Sequence, residues 1–454
     1  MTRHDDGGRE GVSPVRQRAL LAALVAVAVV ISGAIYVGFR GRLGGDGGSV
    51  QAGGARSRGP AAPASTGTWA GTWAASPAGA EPGTEVDGLF GRSVRNVVHT
   101  SIGGSGARVT LSNLYGQQPL TLTHASLAVA SAQGSPTALA GTVRRLTFSG
   151  NTSVIIPAGG QVVSDPTRLR VPADADMLIT TYSPTPSGPV TYHPRARQIS
   201  YVAQGDRTED ESGAHYTRQS PYWRYVTALD VLSDKAQGTV VVLGDSITDG
   251  ITSTMGADHR WPDILSDRLR AAAADSTAPH YGVVNEGISG NRVLLGGYGR
   301  PANNPSGLDR FQRDVLERSG VRTVVIDLGI NDIMRRPRQG DPAKIVEGLR
   351  ELVRQAHHHG LRVVGATLMP FQGHRGYTPR LEAVRDKVNR RIRAGKVFDT
   401  YVDFDKALRD PYDPHRLRPR FDSGDHLHPS DAGYRAMADT LDPSSLRAAS
   451  GAQL

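Results

Sequence analysis

A serine, a histidine and an aspartate can together make a nucleophile: the hydroxyl attacks, the imidazole takes its proton, and a carboxylate on the other ring nitrogen fixes the tautomer. The 454-residue sequence offers all three groups in its C-terminal half. Ser246 stands in VVVLGDSITDG, where an apolar run meets Gly244 and Asp245 just before a helix start. Free backbone N–H groups there favour developing negative charge. Asp425 and His428 stand three residues apart in FDSGDHLHPSDAGY, beside His426 and Asp431, and can supply a base and its acceptor from one loop.

Two further clusters hold donors for an oxyanion. VVNEGISGNRVL carries Gly287, Ser289, Gly290 and Asn291, and a glycine lets its N–H approach a ligand closely. IDLGINDIM carries Gly329, Asn331 and Asp332, and the Asn331 side-chain N–H₂ can donate. Each cluster alone also reads as an ordinary turn or helix cap. Metal chemistry finds less support, because no H-E-x-x-H or similar spacing occurs. Cysteine is absent, which excludes a thiol nucleophile, thiolate-bound zinc, Fe–S clusters and disulfides. His357, His358 and His359 read as the polar last turn of a helix before Gly360. No cofactor and no metal are expected.

The elements that must position these groups follow from residue 239 onward. Apolar runs at 239–245, 282–287, 323–329, 362–368 and 400–405 alternate with amphipathic segments at about 261–274, 308–318, 342–359, 379–394 and 430–441. Continuous Val/Ile/Leu strands alternating with helices predict an α/β domain over 239–454, with a parallel sheet covered on both faces. Ligands of such sheets bind at the carboxyl ends of the strands, where three of the four clusters fall.

The preceding region differs. Between 68 and 238 short β-prone runs such as SVRNVVHTSI, ARVTLSNLY, LTLTHASLAVA, TSVIIP and MLITTYS alternate with Gly, Pro, Ser and Asn, which predicts an all-β sandwich. Residues 41–67 are Gly, Ala, Ser and Pro with scattered Arg and read as a flexible linker. Within residues 1–40, Ala19 to Phe39 run without a charge behind Arg3, Arg9, Arg16 and Arg18. That length favours an uncleaved signal anchor over a cleaved signal peptide, with Ser32 and Ala34 as small residues at a cleavage point. Either route exports the rest of the chain, leaving it membrane-anchored through 19–39 or secreted.

The formal charge of +9 comes from 52 basic and 43 acidic residues, and 47 of the basic residues are Arg against five Lys. Eight Arg and four acids lie in the first 60 residues, so the remainder is only mildly basic. Without basic runs no nucleic acid is expected as a partner. Trp223, Trp261 and Tyr298 could line a sugar or acyl site, with packing the simpler reading.

Together the four clusters resemble the SGNH hydrolases, the GDSL-type esterases and lipases, over residues 239 to about 441. The naming residues map onto Ser246 in GDSI, Gly290 in NEGISGN, Asn331 in GIND and His428 in DHLH, with the family acid on Asp425. The GDSI block has Ile247 where the pattern has Leu, and GIND carries Ile330; neither removes a functional group. The resemblance implies a flavodoxin-like three-layer α/β/α fold with five parallel strands. It also implies a serine ester hydrolase with Ser246, Asp425 and His428 catalytic, and an oxyanion hole of Ser246 and Gly290 N–H groups with the Asn331 side chain. The β-rich region, with TWAGTWAASP, VVHTSIGG and ARVTLSN, together with WPDIL in the following domain, is similar to exported SGNH proteins carrying a β-sandwich before the hydrolase domain, some of them carbohydrate esterases. The expected substrate is accordingly an O-acetyl or other short acyl ester on a carbohydrate, acted on by a monomer. A lipid ester and a glycan-binding protein with a decayed hydrolase domain stand as alternatives.

Overall fold

A computed structural model describes residues 67–299 and 302–448. The predicted anchor at 19–39 and nearly all of the 41–67 linker lie outside these described residues. Among the described residues no helix is long and apolar enough to cross a membrane.

Two antiparallel sheets, of four and six strands, form most of the β-rich region, beside a three-stranded and a two-stranded one. Strands β1 (Thr68–Ala74), β2 (Arg92–His99), β3 (Gly106–Ser112), β4 (His124–Val129), β5 (Asp176–Ser183), β6 (Ser200–Gln204) and β7 (Val226–Ser233) carry most of it. One sheet has the order β1, β7, β3 and a short strand at Gln161–Val163. The other runs from Arg218–Ser220 through β6, β2, β5 and β4 to Arg144–Arg145. Alternation decides which faces meet: Val109 and Leu111 of β3, Leu229 and Val231 of β7, Val94 and Val98 of β2 and Met177 and Ile179 of β5 share one buried cluster. The opposite face of β2 and β5, with Val97 and Leu178, has its own small cluster under Tyr201 and Tyr216. The predicted LTLTHASLAVA strand is two strands, Leu120–Leu122 and β4, which sit in different sheets.

The second half is a five-stranded parallel sheet: β8 (Gly238–Gly244), β9 (Tyr281–Gly287), β10 (Val321–Asp327), β11 (Arg362–Ala366) and β12 (Thr400–Val402). The order is β9, β8, β10, β11, β12, with all neighbours parallel. Val240 to Leu243 are fully buried, as a central strand covered on both faces must be. Helices α1 (Ser246–Asp249), α2 (Trp261–Ala274), α3 (Gly307–Phe311), α4 (Ile330–Met334), α5 (Pro342–His358), α6 (Pro379–Arg393), α7 (Phe404–Leu408) and α8 (Asp431–Thr440) connect them. Prolines at the first or second helical position of α2, α5 and α6 start those helices where no N–H partner is needed.

Three expectations are corrected. The strand predicted at 400–405 stops at Val402, because Asp403 turns to cap α7 and accepts the Lys406 N–H at 3.0 Å. The strand predicted at 323–329 stops at Asp327, ahead of Gly329 with φ +131°. The helix predicted at 308–318 is α3 followed by a wider turn at Gln312–Leu316, in which Asp314 is fully buried against Arg310 and Arg313.

The two halves are in direct contact along β1. Thr239 Oγ1 accepts the Gly71 N–H at 2.9 Å, and Ser76 Oγ donates to Glu286 Oε2 at 2.6 Å. A Cβ at Gly282 of β9 would fall on the Gly71 carbonyl oxygen, so glycine is what lets the two backbones close on each other.

Candidate active site

Register brings the sequence clusters together. Gly244 at the end of β8 pairs with Gly287 of β9 on one side and Asp327 of β10 on the other, so three loops leave the sheet at one level. Ser246 is the first residue of α1 and is buried. Asp245 caps that helix by accepting the Ile247 N–H at 3.0 Å. Its other oxygen accepts from Asn331 Nδ2 at 3.1 Å, which orients the amide at the start of α4.

The fourth cluster arrives from the loop before α8. His428 Nε2 lies 2.8 Å from Ser246 Oγ, and His428 Nδ1 lies 2.6 Å from Asp425 Oδ2. Asp425 Oδ1 accepts the backbone N–H groups of His428 at 2.8 Å and Leu427 at 3.0 Å. Burial pushes the Asp425 carboxyl up, but the His428 ring and these two N–H groups outweigh it and hold the group well below the usual carboxylate range. An ionised Asp425 accepts only, so Nδ1 carries the ring proton and Nε2 is left to accept from the hydroxyl. The loop itself is pinned from the loop after α1: Thr252 Oγ1 donates to the Pro429 carbonyl at 2.7 Å and Thr254 Oγ1 to Asp431 Oδ2 at 2.6 Å. His426 turns away to Asp422 at 2.6 Å, and Asp431 serves Thr254 and His259.

Gly290 has φ +78°, a conformation that favours glycine. Its carbonyl accepts from Arg335 Nη1 at 2.7 Å, on whose guanidinium any Cβ at 290 would fall. The turn is joined to the strand carrying Ser246 by the Ile288 N–H, which donates to the Gly244 carbonyl at 3.1 Å. Asn291 is instead a buried strut, donating to Asn304 Oδ1 at 2.6 Å and accepting from Arg310 Nε at 3.0 Å. Asp332 accepts the Val293 and Leu294 N–H groups, and burial pushes it up to about 6. Burial also raises Asp245 and, to about 6, Asp327, and the Asp327 charge raises Asp245 further.

Trp223 and Trp261 are buried. Trp223 packs edge-on to Trp73 at 4.9 Å and Trp261 against Phe404 at 5.4 Å, so both are packing residues. Tyr298 is exposed. The sequence reading missed Asp249, His193, Ser76 and Arg310, which are buried polar groups directly behind the site. Arg310 alone donates to the Gly244 carbonyl at 2.9 Å, the Glu286 carbonyl at 2.6 Å and Ser76 Oγ at 2.8 Å. Nothing in the spacing of TYHP or GLDRF marks these residues, because their partners are distant in sequence.

No curated protein matches the chain. Among solved structures the chain is similar to an acetyl xylan esterase from Geobacillus stearothermophilus, with 22% identity, 45% of this chain and 93% of that one covered, and a TM-score of 0.34. A carbohydrate acetylesterase from Sinorhizobium meliloti has 17% identity over 44% of this chain and 94% of its own, TM-score 0.34. A member of the lipolytic protein G-D-S-L family from Veillonella parvula has 18% identity over 44% and 94%, TM-score 0.34. Residues 242–436, which span the five-stranded α/β fold, match the GDSL-like Lipase/Acylhydrolase family.

Proposed function

We propose that the chain is a serine carboxylic-ester hydrolase that works through an acyl-enzyme, and that its substrate carries a short acyl group, acetyl above all, on a carbohydrate. The observation that carries the reading is the continuous relay from Asp425 through His428 to Ser246, at 2.6 and 2.8 Å. In this reaction His428 Nε2 takes the Ser246 proton as Oγ attacks the ester carbonyl. The alcohol then leaves with that proton, and a water activated by the same nitrogen frees the acid. Asp425 holds the tautomer and balances the imidazolium. The tetrahedral oxyanion is received by the N–H groups of Ser246 and Gly290 and by the Asn331 amide, of which one N–H is already committed to Asp245.

The short-acyl, sugar-bearing substrate is supported by the polar character of the rim. Arg335 flanks Gly290, and His426 is exposed beside the His428 loop. Export by way of residues 19–39, and action as a monomer without nucleic acid, complete the proposal. Hydrolysis of p-nitrophenyl acetate, butyrate and palmitate and of acetylated xylan is to be compared in the chain and its Ser246→Ala variant. Activity on acetate and acetyl-xylan, lost in the variant, is expected. Preference for palmitate would move the substrate to lipid esters, and activity surviving Ser246→Ala would remove Ser246 as nucleophile.

A further inference from the structure

We infer that His193, which belongs to the β-rich half, is a positioning residue of the hydrolase site: with Asp249 it holds the Ser289–Gly290 turn in place. The inference rests on the ester-hydrolase reading above. His193 lies in a short strand at Thr191–His193 and is buried, with its ring against Trp223. Its Nδ1 lies 2.8 Å from the Ser76 carbonyl and its Nε2 lies 3.0 Å from Asp249 Oδ1. Both partners accept, so both ring nitrogens present hydrogens and the ring is fixed from two sides. Asp249 is the last residue of α1, the helix that starts at Ser246, and its N–H donates to the Asp245 carbonyl at 2.8 Å.

The second oxygen of Asp249 faces the oxyanion turn. Asp249 Oδ2 accepts the Ser289 N–H at 2.9 Å and Ser289 Oγ at 2.5 Å. Asn304 Nδ2 holds the Ser289 oxygen at 2.8 Å and Arg335 the Gly290 oxygen, while the Ile288 N–H reaches the Gly244 carbonyl at the end of β8. Asp249 therefore ties the leading edge of the turn to the helix of the nucleophile. A carboxylate this buried is costly unless it is paired, and His193 supplies the pair. Without it, Asp249 loses the donor on Oδ1 and turns toward another, and the Ser289 anchor slackens one residue before the Gly290 N–H. A displacement of about 1 Å at a reacting group can cost about 100-fold in rate, so the effect belongs in kcat.

The test uses the 454-residue chain and p-nitrophenyl acetate, with Ser246→Ala measured alongside. His193→Gln is expected to lower kcat by about 10- to 100-fold and leave KM within about twofold. Residues acting through one link are non-additive, so His193→Gln with Ser289→Ala should be no worse than the weaker single variant. His193→Gln with Asn331→Ala should instead multiply, because Asn331 is held from Asp245. An unchanged kcat in a folded His193→Gln chain, whatever its melting temperature, overturns the inference, and so does full multiplication with Ser289→Ala. If His193→Gln does not fold, Asp249→Asn decides alone, since its amide can present an N–H where the Ser289 N–H needs an acceptor; an unchanged kcat there overturns the proposal. Activity surviving in Ser246→Ala would instead defeat the hydrolase reading itself.

Discussion

At the scale of single residues, the site separates groups that react from groups that aim them. Asn331 is held through one N–H by Asp245, which leaves its second hydrogen for an oxyanion. Asn331→Ala is therefore expected to cost about 10²–10³ in kcat with p-nitrophenyl acetate, with KM little changed. A loss falling mainly on KM would show that the amide binds ground-state substrate instead. Asp425 lies well below the usual carboxylate range, chiefly through the His428 ring and two backbone N–H groups acting against its burial. It keeps its charge from neutral pH far into acid. Asp425→Asn should lower kcat at every pH from about 5 to 8, because an amide can present an N–H where Nδ1 needs an acceptor; a pH–rate profile matching the parent would contradict that role. The candidate triad was legible because Ser246 follows an apolar run and Asp425 and His428 share one turn-rich loop. His193 was not, because a histidine between two strands of a β region carries no periodic signal.

At the scale of elements, long periodic segments were read well and short ones were not. Helices α2, α5 and α6 have proline starts and several turns of amphipathic pattern, and their observed ends match the expected ones within two residues. Helices α1, α4 and α7 have four or five residues each, too few to show a period, yet α1 and α4 carry Ser246 and Asn331. The junction of β1 and β9 is likewise invisible in sequence, since Gly282 looks like any glycine at a strand start. Its substitution is informative. Gly282→Ala places a Cβ on the Gly71 carbonyl, a backbone atom that cannot swing aside. Overpacking of this kind costs about 1–3 kcal/mol, and urea unfolding should show it as a lower midpoint with unchanged slope. An unaltered midpoint would mean that β1 can move off β9 at no cost.

At the scale of the whole molecule, the β sheets and the α/β domain share polar and apolar contacts rather than meeting through a linker. Ala74 of β1 and Ala228 of β7 pack into the same apolar cluster as the parallel sheet. His99 at the end of β2 lies 2.9 Å from Asp176, 3.1 Å from Asp174 and 3.4 Å from Asp258, the last from the loop before α2. Burial opposes its charge, but the bond to Asp176 and the charges of Asp258, Asp263 and Asp176 raise it to about 9. A histidine raised in the folded state binds its proton more tightly there than in the unfolded chain. Its contribution is complete below the unfolded value near 6.5 and is lost as pH rises through about 9. The melting temperature of the parent chain should therefore fall from about pH 6.5 to 9 more steeply than that of His99→Gln; parallel curves would show that His99 does not titrate across that interval.

The sequence by itself determined the two kinds of architecture and the order of strands and helices after residue 238, and it marked Ser246, Asn331, Asp425 and His428 as candidates, with Gly290 singled out by the family resemblance. Each of those rests on local information: residue periodicity, turn chemistry, and motifs a few residues long that chain direction carries to the ends of parallel strands. Only the tertiary structure decided which buried polar groups stand behind them. Ser76, His193 and Glu286 acquire their meaning from Arg310, Asp249 and Arg318, partners brought close by sheet register and by the contact of β1 with β9. The physical reason is that a hydrogen bond needs two groups within about 3 Å, and a chain records each group separately.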